Sequence, residues 1–232
     1  MGKLSIQGVF IGKAEDIGGG LRSAIDKQRV NHRLWLWPQG LGSDEQGDLR
    51  FHGGPERALH HYPAEHYAYW NERYPQVAWQ APGFGENLSS LGLDERQVCI
   101  GDVFRWGDTL LQVSQPRSPC YRLSRRWGME HFPREVQDSG RCGWFYRVLK
   151  PGFASVENAF ELVERRYPSL SVAQALVYFF HEPLERSGLQ QLQQCPALSA
   201  RWRDQAARRL ASGRVEDWSA RLLGQPLEGM SA

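Results

Sequence analysis

One cysteine in the stretch VSQPRSPCYRLS, Val113–Ser124, has neighbours that a packing residue does not need. Pro116 and Pro119 fix their own φ angles and restrict the residues before them, so the backbone carrying Cys120 is stiff. Arg117 and Arg122 flank the thiol, and positive charge favours the thiolate, lowering a cysteine pKa below the ~8.5 of a free side chain. The ordinary fate of a cysteine is a buried packing site, which calls for neither arginines nor paired prolines. A thiolate so placed has three uses. It can attack a carbonyl, with His52, His60 or His61 as the base. It can bind a soft metal, although Cys99, Cys120 and Cys142 lack the paired spacing of a closed zinc site. It can also complete the coordination of a metal that arrives inside an organic cofactor, which asks for one cysteine and an anion-binding shell.

Two further clusters could supply that shell. In FHGGPERALHHYP, Phe51–Pro63, the imidazole of His52 stands beside glycines whose bare N–H groups can approach a ligand, and Arg57 follows in the same loop. In GFGENLSS, Gly83–Ser90, Asn87 follows two glycines, where it can either meet a heterocycle edge or cap a turn. Each cluster alone also fits an ordinary Gly-rich turn.

These loops need a scaffold. LSIQGVFIG, Leu4–Gly12, reads as a strand, and Gly18–Gly20 as a loop. RVNHRLWLWPQGLGSDEQGD gives a strand running into a turn region. HYPAEHYAYWNERY has aromatics at helical spacing and predicts a helix beginning near Pro63. QVCIGDVFRWGDTLLQVSQ predicts two strands joined at Trp106-Gly107-Asp108, with Cys99 inside the first. Ala159–Arg165 predicts a further strand. Many short strands with interspersed helices fit a β-barrel or mixed β-rich domain better than a regular βαβ alternation. After Pro168 the character changes: SVAQALVYFF, EPLERSGLQQLQQC and SARWRDQAARRLASG all predict helices, with Ser171 and Ser199 as N-caps and Gly213 as a stop. VEDWSARLLG adds a last short helix ending at Gly224. The expected organisation is α+β: a β-rich domain over residues 1–167 and a small helical domain over 168–232.

Composition limits the function classes. The 28 basic and 26 acidic residues leave a net charge of +2, without the basic excess of a nucleic-acid binder, so Arg201–Arg209 reads as a solvated helix face. No apolar run approaches the ~18 residues of a membrane span, and the N-terminus does not read as a signal peptide. Four scattered cysteines in such a chain suit a reducing cytoplasm.

Taken together, DEQGDLRFHGGPERALHHYPAEHYAYW, GFGENLS and GDVFRWGDTLLQVSQPRSPCYRLS resemble the MOSC domain, named for the C-terminal region of molybdenum-cofactor sulfurases. The likeness extends over about residues 5 to 224 to the bacterial YiiM-type group, in which a MOSC domain precedes a C-terminal three-helix domain. The resemblance implies a β-rich MOSC barrel and the molybdenum cofactor, a molybdopterin dithiolene with a terminal phosphate. Cys120 matches the family's molybdenum-coordinating cysteine. His52, Asn87, Gln115 and Arg117 fall in the matched motifs and are expected around the pterin and its phosphate, with Arg57 and Arg22 as further cofactor-binding candidates. The implied activity is reduction of N-hydroxylated compounds, such as 6-N-hydroxylaminopurine, to amines. No flavin or nicotinamide fingerprint is recognised, so electrons are expected from a separate reductase, probed most directly as a flavin-dependent one. Family members also include sulfurase domains, which leaves a cofactor carrier or sulfur-handling module as the alternative; no pyridoxal-phosphate domain is recognised.

Overall fold

The computed structural model describes residues 4–18, 20–47 and 53–224. Strand β1 spans Ser5–Ile11. A small ribbon of β2 (Glu15–Asp16) and β3 (Arg22–Ser23) follows, then β4 (Gln28–Val30) and a tight hairpin of β5 (Leu34–Trp37) and β6 (Gly40–Leu41). Beyond a single helical turn at Pro55–Arg57 come β7 (Leu59–Pro63), α1 (His66–Arg73) and β8 (Leu88–Leu91). β9 (Val103–Trp106) and β10 (Thr109–Pro116) form the expected hairpin, with Gly107 at φ 57° in the left-handed region that its turn requires. Helices α2 (Arg122–Trp127) and α3 (Phe132–Ser139) lead to β11 (Trp144–Lys150), β12 (Gly152–Ala154) and β13 (Phe160–Glu164).

Eight of these strands make one sheet in the order β13-β9-β10-β11-β7-β8-β1-β4. Every pair is antiparallel except β7 with β8, whose parallel pairing is bridged by α1. A β-bridge from Leu4 to Phe160 ties the start of β1 to β13, six places away in that order, so the sheet curls into a half-barrel. Register shifts in β10 between Leu110 and Leu111 and between Val113 and Gln115 bend that strand along the curl. The core is dense in aromatic rings: Tyr62 stacks on Phe84 at 4.1 Å, and Trp70 meets Phe132 edge-on at 5.1 Å.

The helical domain packs on this sheet. Helix α4 (Val172–Leu176) starts at Ser171, whose hydroxyl accepts from the Gln174 N–H at 3.0 Å, as expected of an N-cap. A wider turn at Val177–His181 leads to α5 (Arg186–Gln194), α6 (Ala200–Ser212) and α7 (Ser219–Leu223). Gly213 and Gly224 end the last two helices at φ 63° and 74°. The α+β architecture expected from the sequence is thus present.

Four local expectations are corrected. The helix expected near Pro63 starts at His66, because Pro63 still pairs with Ser90 as the last residue of β7. Cys99 is not within a strand: it lies in a turn whose N–H donates to Asp102 Oδ2 at 2.9 Å, with only a lone bridge to Ser171. The Ser199 hydroxyl makes no capping bond; instead the Ser199 N–H donates to the Ser114 carbonyl at 2.9 Å and pins α6 to β10. The basic face of α6 is not all solvated. Trp202, Ala206 and Arg209 recur at helical spacing on one buried face, and Arg209 donates to the Phe179 carbonyl and to both Glu216 oxygens at 2.6–2.9 Å.

His61 shows how tightly the sheet closes. Its Nδ1 lies 3.0 Å from the Tyr146 hydroxyl and its Nε2 2.7 Å from the Ser90 hydroxyl, with no solvent exposure. Burial lowers its pKa from the ordinary 6.5 to about 3. Between those values the unfolded chain takes up a proton that the folded chain refuses. This contribution is therefore intact above pH 6.5 and is lost as the pH falls toward 3. Urea unfolding from pH 7 to pH 4 should show stability declining by ~1.4 kcal/mol per pH unit from this residue, with His60 adding to the slope. His61→Gln should have a shallower slope, whatever its absolute stability.

Candidate functional site

A cavity of about 790 Å³ opens between the half-barrel and the helical domain. Its size suits a cofactor or substrate-sized ligand. Cys120 is part of its wall, half-buried in the loop between β10 and α2. That loop is held at several points. The Arg117 N–H donates to the Gly143 carbonyl at 3.0 Å, and the Gly143 N–H donates to Glu95 Oε1 at 2.7 Å. The other Glu95 oxygen lies 2.7 Å from His66 Nε2, so a fully enclosed carboxylate fixes the strand end from which the loop departs. Gly143 is required here: its φ is 69°, and a Cβ would lie 2.2 Å from the His61 carbonyl.

Arg117 lines the cavity and is 7% exposed, yet its Nη1 has no hydrogen-bond partner among the described residues. A buried guanidinium nitrogen without an acceptor costs free energy, and an anionic ligand oxygen would remove that cost. Arg57, Arg122, Arg201 and Arg221 line the same space. Burial and the charge of Arg201 together lower the Arg57 pKa. The carboxylates in the wall are already engaged. Asp44 accepts from Gly12, Asn87 and the Lys27 ammonium; Glu45 accepts from Lys13 and Ala14. Glu216 accepts from Arg209, and Asp217 from Ser219. The wall therefore favours an anion.

The residues expected at the site fall in different places. Cys120, Arg117, Gln115, Arg57 and Asn87 all line the cavity. Asn87, however, uses its whole amide on the scaffold. Its Oδ1 accepts from the His60 N–H at 3.1 Å, and its Nδ2 donates to the Phe10 carbonyl at 3.1 Å and to Asp44 Oδ2 at 2.8 Å. It stitches β1, β7 and the Asp44 loop together below the ligand space. Arg22 borders an adjoining hollow with Ala14 and Glu45, and it donates to the Ala14 carbonyl at 2.5 Å. His52 lies outside the described residues. Of the histidines considered as a base for Cys120, His61 is in the core and not in the cavity wall. His60 lines the cavity, but burial and the neighbouring Arg117 hold its pKa well below 6.5, so the ring is neutral.

Sequence reasoning missed the helical side of the site. Trp202 on α6, Trp218 before α7 and Arg221 on α7 all reach the cavity. Phe179 stacks on Trp202 at 3.9 Å, and Trp218 donates its indole N–H to Glu216 Oε1 at 3.0 Å, so both indoles are fixed. Their spacing within amphipathic helices carried the ordinary core signal.

Residues 48–161 match the MOSC domain, and residues 170–213 match the YiiM-like, 3-alpha helix domain. Protein YiiM of Escherichia coli strain K12 is 42% identical over 219 residues, 94% of this chain and 97% of that protein. A protein named Reductase from Gibberella moniliformis is 37% identical over 159 residues, 67% of this chain but 28% of that longer protein. The crystal structure of YiiM from Escherichia coli superposes with a TM-score of 0.83 at 38% identity, over 96% of this chain and 99% of that one.

The orphaned Arg117 nitrogen leads to a test. Arg117→Met should leave the thermal midpoint of the ligand-free protein unchanged or higher, since an unsatisfied buried donor costs ~1–3 kcal/mol. Inorganic phosphate should stabilise the wild type and fail to stabilise the variant. Equal stabilisation of both in a thermal melt would remove Arg117 from the anion site.

Proposed function

The chain belongs to the MOSC-domain family, joined to a YiiM-like three-helix domain; from that membership we propose that it is a molybdenum cofactor-dependent reductase of N-hydroxylated compounds such as 6-N-hydroxylaminopurine, giving the amine. The observation that carries the reading is one cavity whose wall holds both the Cys120 thiol and the buried Arg117 Nη1, which has no partner among the described residues. A molybdopterin presents a metal that accepts a soft thiolate donor and a phosphate that accepts guanidinium donors, so the residues present fit the group. The Gibberella relative's name supports the reductase class.

In this reading Cys120 Sγ is the protein's ligand to molybdenum. The Arg117 guanidinium takes an anionic oxygen of the cofactor, with Arg57 and Gln115 beside it in the wall. Conversion of a hydroxylamine to an amine takes up a pair of electrons and a pair of protons and releases water; the bound cofactor supplies the redox chemistry. The chain positions and excludes. Phe84, Phe145 and Trp202 cover the apolar parts of the wall and limit water. His60, held neutral, offers a hydrogen-bonding ring without adding a second positive charge beside Arg117. Electrons come from a separate reductase, of the flavin-dependent kind.

Protein from a cofactor-competent host should carry near-stoichiometric molybdenum and reduce 6-N-hydroxylaminopurine when a flavin reductase supplies electrons. Cys120→Ala should retain little metal and fall to the rate of the protein-free control. Molybdenum-loaded protein that reduces no N-hydroxylated substrate with any donor, yet passes its cofactor to an apo-enzyme, would replace the reductase by a cofactor carrier.

A further inference from the structure

The cysteine loop is held from two sides. One side is the half-barrel, through Gly143. The other is α7, more than ninety residues further along the chain. Arg221 makes three hydrogen bonds there. Its Nη1 donates to the Pro119 carbonyl at 2.5 Å, the peptide group immediately before Cys120. Its Nη2 donates to Gln137 Oε1 on α3 at 2.7 Å. Its own carbonyl accepts from the Tyr121 N–H at 2.9 Å, immediately after Cys120. One residue thus brackets the thiol by its neighbours on both sides. Gly224 closes the arrangement: a Cβ there would lie 2.8 Å from the Tyr121 ring, so α7 ends in contact with the loop.

The remaining partners of the guanidinium show that it is fixed. Its carbon lies 5.2 Å from the Phe180 ring and 5.7 Å from the Trp218 ring. Burial lowers its pKa to about 10, while Cys120, Cys142 and Glu216 act in the opposite direction. It remains a cation at neutral pH, close to a thiol that is free of disulfide.

We propose that Arg221 is a positioning residue for Cys120: the C-terminal helix clamps the peptide groups before and after the thiol, which makes the helical domain part of the metal site rather than an appended stabiliser. The proposal rests on the reading of Cys120 as the molybdenum ligand. Two flanking prolines stiffen the loop but leave it free to move as a unit, and the guanidinium fixes where that unit lies. A planar donor suits this task because its two nitrogens reach two acceptors in fixed directions.

The test uses the full chain in two states. In cofactor-free protein, hydrogen exchange of peptides covering Ser118–Ser124 should speed up at least tenfold in Arg221→Gln, with the β7, β10 and β11 peptides unchanged. In cofactor-loaded protein, the same variant should shift the Mo(V) electron paramagnetic resonance g-values and lower kcat by at least tenfold, with KM within twofold. Arg221→Lys, which can reach one acceptor but not both, should give intermediate values. Gln137→Leu removes the far acceptor and should act in the same direction, which keeps the test open if Arg221→Gln folds poorly. Unchanged g-values and kcat in folded Arg221→Lys and Gln137→Leu would overturn the proposal, as would faster exchange spread evenly over the chain. If wild type binds no molybdenum, the metal reading fails, and exchange in the cofactor-free state still decides whether Arg221 holds the loop.

Discussion

A buried guanidinium, one nitrogen of which finds no acceptor among the described residues, is the constraint around which the rest of the site is arranged. Taking a cation out of water costs several kcal/mol unless charge or hydrogen bonds offset it. Around Arg117 the offset is incomplete. Glu86 is the nearby enclosed carboxyl, but desolvation raises its pKa, and its oxygens are used by Tyr67 and by the Phe84 N–H. His60, buried and beside the same cation, stays neutral. Holding Arg117 in so unfavourable a place takes a rigid frame, and the frame is visible: the His66–Glu95–Gly143 series behind the backbone of Arg117, and the Asn87 stitches beneath the cavity. A ligand that brings negative charge to Arg117 would offset that cost.

The half-barrel and the helices divide the work accordingly. The curled sheet provides the floor, because the segments leading into β7 and β8 and the loop leaving β10 all contribute to the cavity wall. The helices provide the opposite wall, and they are bound to the floor by the Ser199–Ser114 and Arg221–Pro119 contacts. Arg209, buried and paired with the partly exposed Glu216, keeps the Trp218 segment in shape from behind. Replacing Glu216 is costly, since the buried Arg209 would remain charged without its carboxylate.

What could be read from the sequence follows from how local the signal is. Cys120 with its prolines and arginines is a contiguous stretch, so stiffness, charge and placement were all legible in it. The ends of α6 and α7 were legible for the same reason, because Gly213 and Gly224 announce left-handed caps. Asn87 was legible as a special residue but not in its role: a turn-forming amide beside glycines looks the same whether it faces a ligand or joins three backbone segments. Arg209 was misread because its buried face depends on which side of α6 meets the sheet. Arg221 carried no signal at all, since its meaning arises from a contact 102 residues away along the chain.

That separation has a consequence for biosynthesis. The sheet floor, with Arg117 and Cys120 in it, is complete in the nascent chain well before α6 and α7 emerge from the ribosome. At that stage the cavity lacks its opposite wall, and the cysteine loop lacks one of its two holds. Domains generally fold as units in the order of their synthesis. The cleft over the sheet would therefore form first as an open surface, and α6 and α7 would add its opposite wall last. The second hold on the cysteine loop is thus among the last parts of the chain to be made, in a single C-terminal helical turn.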